Sequence, residues 1–163
     1  MSAPSLVWDL GTGYDFFVSL YVLHKPDEFG LRASWAAGVR SRLPADVRDV
    51  LEKAQLAVNF PMCWVHALPD IKDSATVLRS LRNMAVKERL PELAKSSGMP
   101  ENALDLLKSV AERGAWQPAD RDALKDAYKE YKPPPQAQKL EALLDIWADL
   151  EAFGNNYLAA LTT

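Results

Sequence analysis

A chain of 163 residues with 48% hydrophobic and 25% charged residues carries the apolar content of one ordinary globular domain, which excludes an intrinsically disordered chain. A formal net charge of -3 removes the overall basic footprint of most autonomous nucleic-acid binders, and a single cysteine, Cys63, excludes an internal disulfide and fits a reducing, cytoplasmic compartment. Residues 1 to 6 carry neither a basic leader nor a long apolar run, so neither a secretory signal nor a membrane partner is expected.

Residues 12 to 24 read as the first helix, with Thr12 as its cap and Asp15 three residues on. Tyr14, Phe16, Phe17, Val18, Leu20, Tyr21, Val22 and Leu23 point nearly all round a 3.6-residue wheel, so this helix is expected at the centre of the core. It is too short to cross a bilayer, which takes roughly 20 apolar residues. The preceding Gly11-Thr12-Gly13 lacks the lysine of a phosphate loop and the third glycine of a dinucleotide fingerprint, so it reads as a helix-start turn.

Lys25-Pro26-Asp27 ends that helix, because proline disfavours helical geometry in the residue before it. Leu31, Trp35, Val39 and Leu43 recur every four residues and predict a second helix packed on the first. A third starts at Pro44, with Asp46 near its positive end and Val47, Val50, Leu51, Ala54 and Val58 inward. Arg32, Arg40 and Arg42 on consecutive short helices suggest a helix-turn-helix, but Asp46, Asp49 and Glu52 neutralise the patch that phosphates would need, so a solvated basic face is favoured.

Residues 59 to 69 are bracketed by prolines and predict a buried irregular connector. Cys63 and His66 have the spacing of a metal half-site, yet His24 is the only other histidine. A packed cysteine and a hydrogen-bonded histidine are therefore expected, with no metal and no cofactor. Asp73 caps the next helix, whose Lys72, Arg79, Arg82, Lys87 and Arg89 read as solvated, and Pro91 restarts the helix after Leu90. Ala103, Leu104, Leu107, Val110 and Ala111 mark an amphipathic helix ended by Gly114, and another opens at Pro118 with Leu124, Ala127, Tyr128 and Tyr131 toward the core.

Pro133-Pro134-Pro135 reads as a stiff spacer within one domain. Beyond it, Leu140, Leu143, Trp147, Leu150, Gly154, Tyr157 and Leu161 alternate three and four residues apart, predicting one long helix that packs on a partner helix, internal or in a second copy. Leu143, Trp147, Leu150, Tyr157 and Leu161 are the self-association candidates. Gly154 on this seam implies close approach, a bend or a helix end. The last helix reaches Thr163 without a cap, which suggests a chain that continues.

The fold expected is all-α, a compact bundle of about seven helices with a long C-terminal helix. No catalytic constellation is visible: Ser19, Ser34 and Ser41 have no histidine and acid in a recognisable arrangement, so a non-enzyme is expected. Tryptophans are numerous, and Trp8, Tyr14, Phe17, Tyr21, Trp35 and Trp64 are the candidates for lining an apolar ligand pocket between helices.

The stretch from Ser5 through Trp8-Asp9-Leu10-Gly11-Thr12, continuing into Asp15-Phe16-Phe17-Val18-Ser19-Leu20 and then Trp35-Ala36-Ala37-Gly38-Val39-Arg40, resembles the amino-terminal region of ArsR-type winged-helix transcription regulators. The likeness extends more loosely through Leu68-Pro69 and Asp73-Ser74-Ala75-Thr76 to the last helix. It implies that residues 1–163 are a helical sensor or dimerisation domain, with the DNA-reading winged helix beyond Thr163. DNA is then a partner through that missing domain, no DNA-contacting residue lies in this chain, and a homodimer is expected. One cysteine cannot supply the thiolate cluster of the metal-sensing members. The alternatives are a free-standing helical protein-interaction module and a small-molecule-binding helical protein.

Overall fold

Local start and stop signals set most helix boundaries, and tertiary packing sets the rest. The computed structural model describes residues 9–131 and 135–163, which form ten α-helices and one short 3-10 turn, Pro26–Phe29, with no strand among them. Trp8 and two of the three spacer prolines, Pro133 and Pro134, lie outside the described residues. The chain is therefore all-α, with ten α-helices where about seven were expected. The difference comes from splits at Met84–Ala85 and Asp149 and from an extra short helix.

Helices α1 (Thr12–His24), α2 (Ala33–Arg40) and α3 (Ala45–Ala54) follow the predicted order. The cap of α1 differs: Gly11 holds the N-cap position, and the Thr12 hydroxyl instead accepts the Ser74 N–H at the start of α5, at 3.3 Å. The predicted connector contains α4 (Met62–His66), which buries Trp64 and Val65 and leaves Cys63 exposed rather than packed. Helix α5 (Ser74–Asn83) starts as predicted, with the Thr76 N–H donating to Asp73 Oδ1 at 2.7 Å.

The chain leaves helical geometry at Met84–Ala85, and α6 (Val86–Ser96) then runs straight through Pro91. The restart thus lies earlier than Pro91 suggested. Helix α7 (Glu101–Arg113) ends at Gly114, and α8 (Pro118–Ala127) begins where Asp120 Oδ2 accepts the Gln117 N–H at 2.8 Å.

The long terminal helix is two helices, α9 (Ala137–Ala148) and α10 (Leu150–Leu161), broken at Asp149, whose φ of -122° and ψ of 51° are not helical. Neither proline nor glycine stands at the break. The two halves share α3 and otherwise pack on different neighbours: α9 lies against α7 and α8, and α10 against α5 and α6. A straight helix could not reach both sets. Gly154 allows the close approach, since a Cβ there would sit 3.0 Å from the Val86 carbonyl oxygen.

The core centre is α6, α7, α9 and α10 rather than α1. Trp147, Leu107, Leu90, Leu93 and Leu144 are fully buried, whereas α1 buries only Gly13 and Phe17 outright. Helix α2 packs on α1 as predicted, presenting Ala36 inward, with Val39 and Leu43 half-buried, but the first half of its predicted stripe, Leu31 and Trp35, is exposed. Arg89 is buried as well: its Nε donates to the Leu81 carbonyl at 2.8 Å and its Nη1 to Asn155 Oδ1 at 3.1 Å, tying α6 to α10. Among the described residues no helix is long and apolar enough to cross a membrane.

Candidate functional site

Helix ends, rather than helix faces, build a tyrosine-walled concavity. A cleft of about 330 Å³ opens where the carboxyl ends of α1, α3, α6 and α8 meet the amino end of α9. That volume falls at the small end of the ~300–1,000 Å³ range of small-molecule sites. Helix α1 brings Tyr21, with Lys25 just beyond it. The end of α3 brings Gln55, and Asn59 follows. The α6–α7 turn supplies Ser97, Gly98 and Met99; α8 and its exit supply Tyr128 and Tyr131; α9 closes the cleft with Lys139, Leu140 and Leu143.

Its polar groups are unevenly satisfied. The Tyr21 hydroxyl donates to Glu28 Oε2 at 2.8 Å and the Tyr131 hydroxyl to the Gly98 carbonyl at 3.2 Å, so these two rings have committed their protons. Tyr128 and Tyr131 stand edge to face, 5.2 Å between centroids, and burial pushes the Tyr128 phenol up to about 12, which keeps it neutral. Gln55 Oε1 and Ser97 Oγ are buried with no hydrogen-bond partner among the described residues.

A second polar cluster surrounds Asp9. Its Oδ2 accepts from Lys72 Nζ at 2.6 Å, from the Tyr14 hydroxyl at 2.5 Å and lies 2.7 Å from His66 Nδ1. The Lys72 bond, then the Tyr14 bond, holds the Asp9 carboxyl well below the usual carboxylate range. The Asp9 bond raises Lys72, and Tyr14 is raised chiefly by burial and next by Asp9. An amine locked as ammonium and a phenol locked neutral make poor nucleophiles and bases. The cluster is a clasp instead, fastening the segment before α1 to the entry of α5. The glycines there serve the same closure: a Cβ on Gly11 would lie 2.1 Å from the Lys72 carbonyl oxygen, and the Gly13 N–H donates to that oxygen at 2.9 Å.

The structure does not gather the six expected pocket residues. Tyr21 lines the cleft and Tyr14 serves the clasp; Phe17 and Trp64 pack edge to face in the core, 6.3 Å apart; Trp35 is exposed on α2; Trp8 lies outside the described residues. The self-association candidates are inside the molecule: Leu143, Trp147, Leu150, Tyr157 and Leu161 are all buried against the chain's own helices. A seam consumed in the core offers no surface to a second copy, which corrects their expected role. His66 is hydrogen-bonded as expected, and among the described residues no three histidine, cysteine, aspartate or glutamate side chains converge as metal ligands. Gln55 and Ser97 carried no sequence signal, because an unpaired buried atom is a tertiary property; Tyr128 is half-buried as an inward-facing ring should be, whereas Tyr131, expected toward the core, is exposed.

Compared with family models, characterised proteins and solved structures, the chain has no match. The chemistry of the cleft therefore carries the functional reading.

Proposed function

We propose that this chain is a non-catalytic helical sensor domain of a DNA-binding transcription regulator, and that it binds a small effector in the cleft between α1, α3, α6, α8 and α9. The observation that carries the sensing role is the tyrosine-walled cleft itself, whose volume of about 330 Å³ falls in the range of small-molecule sites. The link to transcription rests on the resemblance of residues 5–20 and 35–40 to ArsR-type regulators, in which base reading belongs to a winged helix outside this chain. Sensing is favoured over assembly because the five seam residues are spent in the core. A free-standing interaction module is the second reading, favoured by the exposed Phe29, Leu31 and Trp35 around α2.

A thermal-shift screen of small ring compounds tests the sensing role, since a ligand that binds only the native state raises its melting temperature. Ring compounds should stabilise the chain, and Asn59→Trp, which fills the cleft from an exposed position at its edge, should abolish the shift while leaving the fold intact. No stabilising compound, or stabilisation indifferent to Asn59→Trp, overturns the reading. Fluorescence anisotropy with duplex DNA should show no sequence-discriminating binding by this chain at physiological salt.

A further inference from the structure

We propose that the exposed ridge of α2 seats in an acidic groove on a second copy of this chain, a contact that goes beyond the sensing role and stands or falls separately from it. The ridge is a helix face: Leu31, Trp35, Gly38 and Arg42 are spaced four, three and four residues apart, and all four are exposed. Ala36 alone among residues 27–38 is buried, so the segment stands out from the body of the molecule. A Cβ on Gly38 would meet nothing within 4 Å, which leaves room for another backbone to come close beside the Trp35 ring.

Charge selects the occupant. Arg32 and Arg42 are exposed and make no ion pair among the described residues, and no aspartate or glutamate stands from Phe29 to Ala45. Two such ridges laid on each other would set arginine against arginine, so the α2 of a second copy is a poor partner. The opposite character lies between α6, α7 and the α9–α10 break, in a groove of about 850 Å³. Five carboxylates line it, Glu92 and Glu112 among them, against Lys87 and Lys108, and none of the seven makes an ion pair among the described residues. Pro91 and Ala111 add apolar surface for the Trp35 ring. Ridge and groove thus match as convex to concave, as cation to anion and as apolar to apolar.

Because both faces belong to one chain, each copy offers a ridge to one neighbour and a groove to another. If both contacts close on a single pair the product is a two-fold dimer, and if they do not it is an open chain. Helix α2 is only eight residues long, so the contact is small and the association weak and salt-sensitive.

Analytical ultracentrifugation of the whole chain tests the contact. The average mass should rise above that of one chain at high micromolar concentration and fall back as salt is raised. Arg32→Glu/Arg42→Glu and Glu92→Lys/Glu112→Lys alter exposed residues only, so each variant should be folded and monomeric. Their equimolar mixture pairs an unaltered ridge with an unaltered groove and should associate again. Trp35→Ala should weaken the parent's association by about tenfold with the fold intact. A Glu92→Lys/Glu112→Lys chain that still associates by itself overturns the groove in favour of α2 against α2, and a mixture that stays monomeric overturns the pairing of the two faces. A parent that is monomeric at every concentration overturns the second copy as the occupant, in favour of an acidic partner of other sequence.

Discussion

Helices α1 and α9 are nearly equal in length and both rich in apolar residues, yet they end in opposite situations. In α9, Leu140, Leu143, Leu144, Ile146 and Trp147 are buried; in α1, with eight large apolar residues, only Phe17 among them is. The difference lies in neighbours. Helix α9 is enclosed by α3, α7, α8 and α10, whereas α1 meets the shorter α2 and α4, the 3-10 turn and α5. Apolar content therefore measures how much surface a helix could bury, and the size of the elements the topology brings to it decides how much it does.

The sharpest way to break this comparison is to truncate a large side chain at each end. Trp147→Ala, at a fully buried position, should cost about 3–5 kcal/mol in urea unfolding. Trp35→Ala, on the open face of α2, should fall within about 0.5 kcal/mol of the parent. Equal losses would mean that α2 is covered in solution. Charged substitutions at Leu150 or Tyr157 belong with Trp147: they should unfold the chain rather than release folded monomers, because both side chains are buried within one molecule.

Two glycines sharpen the contrast at a smaller scale. Gly11→Ala places a methyl group against the Lys72 backbone, where no side chain can swing away, and should cost roughly 1–3 kcal/mol. Gly38→Ala meets open space inside α2 and should stabilise by about 0.5–1 kcal/mol through helix propensity alone. Thermal unfolding of the two variants beside the parent checks both signs. A destabilising Gly38→Ala would show that something approaches α2 more closely than its exposure indicates.

What could be read from the sequence follows the range of the interaction. Asp73, Gly114 and Pro118 mark helix ends correctly, because caps and stops act within four residues. The break at Asp149 was hidden, since the three-and-four spacing of Leu143, Trp147, Leu150 and Tyr157 continues across it and only the separate packing of α9 and α10 divides them. Lys72 and Arg89 read as solvated charges because their partners stand far off in the chain, Asp9 sixty-three residues away and Asn155 sixty-six. The candidate site was least legible of all. It joins the ends of five helices, and of the five singled-out aromatic residues that are described only Tyr21 reaches it.

The smallest expected effect concerns acid, and it isolates the clasp at the α1 end. Asp9 is held below its ordinary value of 3.8, so its contribution to stability is fully present above that pH and is lost progressively as pH falls toward the lowered folded value. Lys72 is raised, so its contribution is fully present below its ordinary 10.5 and is lost progressively as pH rises toward the raised folded value. Between these limits neither the Asp9 nor the Lys72 charge changes. Asp9→Asn removes the charge but keeps the shape, and the gap in melting temperature between parent and variant should narrow from about pH 5 to about pH 2. Solvent at the exposed His66 side screens the cluster, which keeps the effect modest. A gap that does not change with acid would place the clasp's stabilisation in the Gly11 and Gly13 backbone contacts with Lys72 rather than in the Asp9 charge.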